Sequence, residues 1–185
     1  RITLFTERTG GELEDALADL QERGAQRIVL DLRDNPGGLL DAALDVASQF
    51  LDDGDVMIEQ KRDGTEQTYP VLRGKKVLDL PVTVLINAGT ASASEIVAGA
   101  LHDHGRARLV GDKSYGKGSV QLVFDLSDGS SIHISVARWL TPARHAIDGA
   151  GIEPDVPIAL SEEDRTVGRD PQLAGAVADL IAQGK

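Results

Sequence analysis

Two apolar patterns recur along the chain, one typical of buried strands and the other of helices. Residues 28–32 and 82–86 are short, nearly continuous apolar runs, as expected for strands that are covered on both faces. Further strands are predicted at residues 2–5 and 108–111, and hairpins at 55–72, turning at Asp63-Gly64, and at 120–126 with 130–137, turning at Asp128-Gly129.

Helical repeats separate these apolar runs. Thr9 and Glu12 have the spacing of a capping box, and Gly24 is expected to end the helix that follows. The order of elements predicts one α/β domain over residues 1–185, with a mixed, partly parallel sheet and packed helices. The other helices are predicted at residues 40–51, from the serine-rich segment to about His104, and after Asp170 with Leu173, Val177, Leu180 and Ile181 on its apolar face.

The composition narrows the possible functions. A formal net charge of -11 argues against nucleic-acid binding, which needs a basic face. The chain has no cysteine, which excludes disulfides and thiolate catalysis, and His102 and His104 are spaced so that they do not face one metal ion on a helix. We therefore expect no metal and no other cofactor. No apolar run approaches the ~20 residues that span a bilayer, and the start at Arg1 is interpreted as the start of a piece of a longer protein.

A run of small residues after the second buried strand contains two candidate nucleophiles, Ser92 and Ser94. Backbone N–H groups at a helix N-terminus are unpaired, so they can stabilise an oxyanion that forms beside a serine there. Ser94 is expected to lie inside the helix. On position alone, an ordinary N-cap serine is the more common explanation of Ser92. The polar residues 102–104 lie about 15 Å along the helix and are not expected to complete a catalytic triad.

Lys117 lies between Gly116 and Gly118, in the segment that leads into the second hairpin. Glycines allow positive φ angles and a close approach of the backbone. A phosphate-binding loop is not indicated, because Gly118 replaces the required Ser or Thr and a strand follows in place of a helix. Taken alone, Lys117 is more commonly interpreted as a solvated loop lysine.

The Asn-Pro-Gly-Gly segment at residues 35–38 has two interpretations as well, a β-turn or the donor of a backbone N–H to an oxyanion hole. Together the motifs resemble the C-terminal processing, or tail-specific, proteases of the S41 serine peptidases, which have a Clp-protease/crotonase-like core. They occur in the family's order, and the Ser92–Lys117 spacing is the family's too. The matching segments are residues 30–38, 90–95, 116–121 and 149–155.

The resemblance implies a role for each site residue. Ser92 would be the nucleophile, Lys117 the general base and Gln121 the group that orients the lysine, with the N–H groups of Gly38 and Ala93 as oxyanion-hole donors. A protonated lysine cannot accept the serine proton, so Lys117 is expected to be largely withdrawn from water in the assembled site.

The resemblance also implies an activity and a setting. The chain would be a serine endopeptidase that cleaves protein or peptide substrates at or near their C-terminal region, in the bacterial periplasm, the cell envelope or secreted. Family members usually carry a PDZ domain, which binds C-termini by strand addition. None is present in this chain, so we expect one in the parent protein, with a homo-oligomer or a regulatory adaptor as further partners.

Two other functions are compatible with the sequence. One is a crotonase-like acyl-CoA enzyme, whose related fold also pairs two backbone amides but has no use for Ser92 and Lys117 at this spacing. The other is a catalytically silent, gated core in which the two residues are present but misaligned.

Overall fold

The computed structural model describes residues 1–74 and 79–183 and has an α/β fold with two four-stranded sheets. The helices are α1 (Thr9–Glu22), α2 (Leu40–Ser48), α3 (Ala93–Asp103), α4 (Glu162–Thr166) and α5 (Pro171–Gln183). The strands are β1 (Ile28–Asp31), β2 (Asp55–Lys61), β3 (Glu66–Pro70), β4 (Val82–Ile86), β5 (Ala107–Gly111), β6 (Ser119–Asp125), β7 (Ser131–Leu140) and β8 (Val156–Pro157).

The first sheet is parallel, with the order β1-β4-β5-β8. Every residue of β4 is buried, as its continuous apolar sequence predicts. One face of this sheet packs against α2 and α3 in the main core. On the opposite face, Leu85 and Val110 form a smaller apolar cluster with Ala176 of α5. The α/β class and the two buried strands are therefore confirmed.

The second sheet is antiparallel, with the order β3-β2-β7-β6. Both predicted hairpins are present, one formed by β2 and β3 and the other by β6 and β7. The parallel and antiparallel strands that the sequence predicts thus lie in two separate sheets. The β6–β7 hairpin is exposed over most of its length, with one set of apolar side chains on one of its faces: Leu122, Phe124, Ile132 and Ile134.

Two predictions near the N-terminus are wrong. Residues 2–5 do not form a strand, because only Phe5 makes a β-bridge there, to Gly38. Thr9 does not cap α1, since the helix already begins at Thr9 and Arg8 occupies the N-cap position. The Thr9 hydroxyl instead accepts a hydrogen bond from the Thr6 amide at 2.9 Å, and Gly24 ends the helix as predicted, with a φ of 84°.

The buried face of α5 also differs from the prediction. Leu180 is buried, but Leu173, Val177 and Ile181 are 41%, 44% and 54% exposed. The helix turns two polar residues inward, because each has partners at the parallel sheet. Gln172 donates to Asp112 and to the Ile158 carbonyl, and Asp179 accepts from Arg108 and Thr83.

Three loops follow the carboxyl ends of neighbouring parallel strands. Residues 32–39 follow β1, residues 87–92 follow β4, and residues 112–118 follow β5. Because the carboxyl ends of parallel strands meet at one edge of a sheet, this is where open α/β sheets place their ligands. The three loops contain Gly38, Ser92 and Lys117.

Candidate active site

Ser92 has a backbone conformation that is rare for a residue with a side chain. Its φ is 57° and its ψ is -120°, and it occupies the N-cap position of α3. A non-glycine residue in such a region costs about 1–3 kcal/mol and persists only where the surrounding contacts impose it. An ordinary N-cap has an extended backbone with negative φ. This conformation therefore separates Ser92 from a plain helix cap.

The loop that contains Gly37 imposes this conformation. A Cβ built on Gly37 would come within 2.7 Å of the Cβ of Ser92 and 2.9 Å of the Ala93 nitrogen. The Asn35 carbonyl accepts hydrogen bonds from the Ala91 amide at 2.9 Å and from the Ser94 hydroxyl at 3.0 Å. The serine turn is thus docked on the Asn-Pro-Gly-Gly loop. Ser94 is fully buried and inside α3, as predicted, and its hydroxyl proton is already donated.

Two backbone N–H groups beside Ser92 have no hydrogen-bond acceptor in the part of the chain that the structure describes. They belong to Gly38 and Ala93, the two predicted oxyanion-hole donors. Gly38 and Phe5 form a parallel β-bridge, but the hydrogen bonds of this bridge come from the residues on either side of Gly38. The Phe5 amide donates to the Gly37 carbonyl, and the Leu39 amide donates to the Phe5 carbonyl. The Gly38 N–H is left free by this pattern. Geometry that leaves two adjacent donors unused is compatible with anion binding.

The loop that contains Lys117 is held from two sides. The Tyr115 amide donates to the Thr90 carbonyl at 3.0 Å, which ties this loop to the serine turn. On the other side, the Gly149 amide donates to the Gly116 carbonyl at 2.9 Å. A Cβ built on Gly118 would lie 2.8 Å from the Cα of Asp148, so the segment at 147–151 packs directly against the loop. These contacts explain why glycines flank Lys117.

Lys117 itself and Gln121 are exposed to solvent. Lys117 is predicted from the sequence to be largely dehydrated in the assembled site, and the structure does not show this burial. The physical reason is local. Lys117 lies at the surface just before β6, and β6 is an edge strand of the exposed hairpin.

Glu95 joins the serine turn to the lysine loop. Its fully buried carboxylate accepts hydrogen bonds from the amides of Ser92 at 2.9 Å, Lys117 at 2.8 Å and Gly116 at 2.7 Å, and from the Ser114 hydroxyl at 2.5 Å. Glu95 is not among the site residues that the sequence predicts. The S-x-x-E spacing of a capping box was the signal that could have found part of this arrangement.

An ion-pair network is centred on the buried side chain of Arg33, which lies in the loop that contains Gly38. Arg33 makes paired hydrogen bonds to Asp31, at 2.9 and 2.8 Å, and to Asp170, at 2.8 and 2.9 Å. The Asp31 hydrogen bond, followed by that of Asp170, raises the pKa of Arg33 although desolvation opposes the shift. The hydrogen bond from Arg33 to Asp170 lowers the pKa of Asp170 below its usual value. The network fastens the start of α5 to the loop after β1.

Other polar groups lie away from this site. His102 pairs with Asp155 at 3.2 Å, and His104 meets the Asp55 carbonyl at 2.8 Å, both at the far end of α3. Among residues 1–74 and 79–183, no group of His, Asp or Glu side chains has the arrangement needed to hold a metal ion. Within the same residues, no helix is long and apolar enough to cross a bilayer.

The sequence matches the family model Peptidase family S41 over residues 1–158. This chain belongs to peptidase family S41. The four motifs that carry the resemblance, including the candidate site, lie within the matched residues. The C-terminal α5 lies beyond them.

Curated relatives of the chain are C-terminal processing enzymes. It is 42% identical over 187 residues to the carboxyl-terminal-processing protease of Synechocystis sp., covering 100% of this chain and 43% of that protein. It is 43% identical over 157 residues to carboxyl-terminal-processing peptidase 3, chloroplastic, of Arabidopsis thaliana, covering 84% of this chain and 30% of that protein. The S41 chain therefore spans less than half the length of these relatives.

Solved structures agree with this placement. The photosystem II D1 C-terminal processing protease superposes with a TM-score of 0.79 at 39% identity, over 86% of this chain and 41% of that one. The tricorn protease superposes with a TM-score of 0.61 at 20% identity, over 85% of this chain and 15% of that one. The second likeness is one of fold alone. The predicted family and α/β fold are confirmed.

Proposed function

We propose that this chain is the catalytic core of a serine endopeptidase in which Ser92 is the nucleophile and Lys117 its general base. The observation that carries the proposal is the backbone of Ser92, which has a φ of 57° at the N-terminus of α3 beside the unused N–H groups of Gly38 and Ala93. Membership of the S41 family supports the same conclusion. An ordinary helix cap would need neither the strained backbone nor the free N–H group of Gly38, which lies outside the helix.

The proposed reaction proceeds through an acyl-enzyme. The Ser92 hydroxyl attacks the carbonyl of the scissile peptide bond while its proton passes to the neutral amine of Lys117. The Gly38 and Ala93 amides donate hydrogen bonds to the resulting oxyanion. Lys117 then gives the proton to the leaving amine, and water activated by Lys117 hydrolyses the ester. Gln121, four residues along the chain from Lys117, would orient the amine.

Lys117 must lose water before it can act as the base, because solvation stabilises its protonated form. Since Lys117 is exposed in the free chain, we infer that bound substrate or another part of the parent protein covers it. This exposure also supports one second candidate function, a gated core that is silent until it is covered. The family match favours both of these functions over a crotonase-like acyl-CoA enzyme.

The names of the relatives are the basis for a proposed substrate class and a proposed cellular location. Both curated relatives are named for carboxyl-terminal processing, so we propose cleavage at or near the C-termini of proteins. One relative is chloroplastic and the other is from Synechocystis sp., and we propose a bacterial periplasmic, envelope or secreted location for this chain. A PDZ domain in the parent protein, and a homo-oligomer or an adaptor, remain proposals.

A serine-directed fluorophosphonate and an unfolded protein such as casein test the function. The parent protein and this chain should be labelled and should cleave casein, and Ser92→Ala should abolish both activities. Ser94→Ala should keep labelling, because the Ser94 hydroxyl is buried against Asn35. Labelling that survives in Ser92→Ala would refute the assignment of the nucleophile.

The role of Lys117 needs its own control. Lys117→Ala should leave the chain folded and should reduce labelling of Ser92 by ~10²-fold or more, the usual contribution of a general base. Lys113→Ala is the matched variant, because Lys113 is an exposed lysine of the same loop that pairs with Glu153 at 2.8 Å. Equal labelling rates in both lysine variants would contradict the dyad. Labelling of the parent protein but not of this chain would support the gated core.

A further inference from the structure

The two oxygens of the Glu95 carboxylate divide their four donors in a specific way. Oε2 accepts from the amides of Ser92 and Lys117, at 2.9 and 2.8 Å. Oε1 accepts from the Ser114 hydroxyl and the Gly116 amide, at 2.5 and 2.7 Å. A single atom therefore joins the backbones of both proposed dyad residues, and their two amide nitrogens cannot be further apart than these two hydrogen bonds placed end to end.

Glu95 does more than cap a helix. A cap for α3 requires only the bond to the Ser92 amide, and a capping glutamate is ordinarily exposed to water. Glu95 is 0% exposed, and its other three donors come from the lysine loop. Three of the four donors are backbone amides and the fourth is a hydroxyl, so the buried carboxylate accepts two hydrogen bonds at each oxygen. Burying a charge in this way is costly unless every bond is made.

The Ser114 hydroxyl extends the same arrangement. It donates to Glu95 and accepts from the Ile152 amide at 2.7 Å. Ser114 thereby connects Glu95 to Ile152, which directly follows the segment at 147–151 that packs against Gly118 on the other side of Lys117. The lysine loop is held at its beginning through Ser114, in its middle through Glu95 and at its end through Gly118.

We propose that Glu95 is a positioning residue of the peptidase reaction, which sets the placement of the lysine loop relative to the serine turn. This inference rests on the proposed function and adds to it a residue that does not touch the substrate. Effective catalysis requires reacting groups to be held within fractions of an ångström, and a misplacement of 1 Å can cost ~10²-fold in rate. Loss of the shared acceptor would separate Ser92 from Lys117 without removing either.

Glu95→Gln is the decisive variant, because glutamine has the same shape but only one accepting oxygen. Its NH₂ group must face two of the four donors in either orientation, so two hydrogen bonds are lost. We expect fluorophosphonate labelling of Ser92 to slow by ~10²-fold per folded molecule, with kcat for casein falling more than KM changes. Glu12→Gln is the matched control, because Glu12 is an exposed glutamate on α1 that pairs with Arg8.

Amide hydrogen exchange gives a readout that does not depend on activity. In Glu95→Gln, the amides of Gly116 and Lys117 should exchange at least about tenfold faster, while the amides in the middle of α3 keep their protection. Ser114→Ala removes one donor and should have a smaller effect of the same kind, and Ser114→Thr keeps the hydroxyl and should restore the labelling rate. The two Ser114 variants also test the positioning role of Glu95 if Glu95→Gln does not fold.

The outcomes separate the two proposals. A folded Glu95→Gln that labels at the rate of the unmodified chain, or that leaves exchange at Gly116 and Lys117 unchanged, overturns the positioning role. If the unmodified protein shows no labelling that depends on Ser92, the peptidase proposal fails. In that case, faster exchange at Gly116 and Lys117 would show that Glu95 holds two loops together. A role in positioning a peptidase reaction would then be refuted together with the reaction itself.

Discussion

Gly37 lies so close to Ser92 that no side chain fits between them. A methyl group at Gly37 would come within 2.7 Å of the Ser92 Cβ, and the Gly37 φ of 103° is itself unfavourable for any other residue. Gly37→Ala should therefore displace the serine turn and reduce labelling of Ser92 by at least about tenfold. Gly64→Ala also has a positive φ but meets no atom within 4 Å, so it should lose stability and keep labelling. Equal labelling in both variants would contradict this prediction.

We expect the strained backbone of Ser92 to lower the free energy of unfolding. Ser92→Gly relieves a backbone that costs about 1–3 kcal/mol, although glycine also gains freedom in the unfolded chain. We expect the glycine variant to be inactive and about 1 kcal/mol more stable than the unmodified chain. Ser92→Ala keeps the strain and should be inactive with little change in stability. Urea unfolding of the three proteins measures the difference, and a glycine variant less stable than the alanine variant would argue against strain.

Gly118 is predicted to be intolerant of a side chain for reasons of space. An added Cβ would lie 2.8 Å from both the Asp148 Cα and the Ile147 carbonyl carbon, which are backbone atoms that cannot move alone. Gly118→Ala should cost about 1–3 kcal/mol and should slow labelling of Ser92. Gly11→Ala is the opposite case, since nothing lies within 4 Å and Gly11 is inside α1. It should stabilise the chain by up to about 1 kcal/mol in thermal unfolding.

The Arg33–Asp170 contact predicts a dependence of stability on pH. Because this contact lowers the pKa of Asp170 in the folded state, the carboxylate stabilises the fold above the ordinary aspartate value of ~4, and that stability is lost as pH falls through the lowered pKa. The difference in unfolding midpoint between the unmodified chain and Asp170→Asn should be largest near neutral pH and should shrink below about pH 4. Leu173→Ala, which changes an exposed residue without removing an ionisable group, should show no such change. A difference that is constant from pH 7 to pH 2 would refute the linkage.

The orientation of α5 can be tested with two neighbouring residues. Ala176 is fully buried and Val177 is 44% exposed. Ala176→Glu should destabilise the chain severely, because it buries an unpaired charge, whereas Val177→Glu should change the free energy of unfolding by no more than about 0.5 kcal/mol. If Val177→Glu were the more destabilising variant, the buried face of α5 would be the one that the sequence predicts.

The sequence alone predicted the parts of the molecule that local patterns determine. Buried strands such as β4, the turn at Asp63-Gly64 and the helix that starts beside Ser92 all follow from short stretches of residues. The family also followed from motif order. The separation of the parallel and antiparallel strands into two sheets did not, because it depends on which strands pair across the fold.

The main failures involve polar groups with distant partners. The periodicity of α5 placed Leu173 and Val177 inside, but Gln172 and Asp179 have acceptors and donors at the sheet that the sequence does not reveal. Glu95 is similar, because three of its four donors lie about twenty residues away in the chain. Tertiary hydrogen bonds of this kind outweigh a periodic apolar pattern.

The two residues of the proposed dyad belong to different sheets. Ser92 follows β4 of the parallel sheet, and Lys117 leads into β6 of the antiparallel sheet. A slide of one sheet against the other would change their separation while every hydrogen bond inside each sheet stays intact, and it is opposed by the hydrogen bonds between the two loops, those of Glu95 and that of Tyr115 to Thr90. A chain that loses these few bonds between loops can therefore keep both sheets folded while its dyad is apart, so the folded fraction and the catalytically competent fraction are separate quantities to measure.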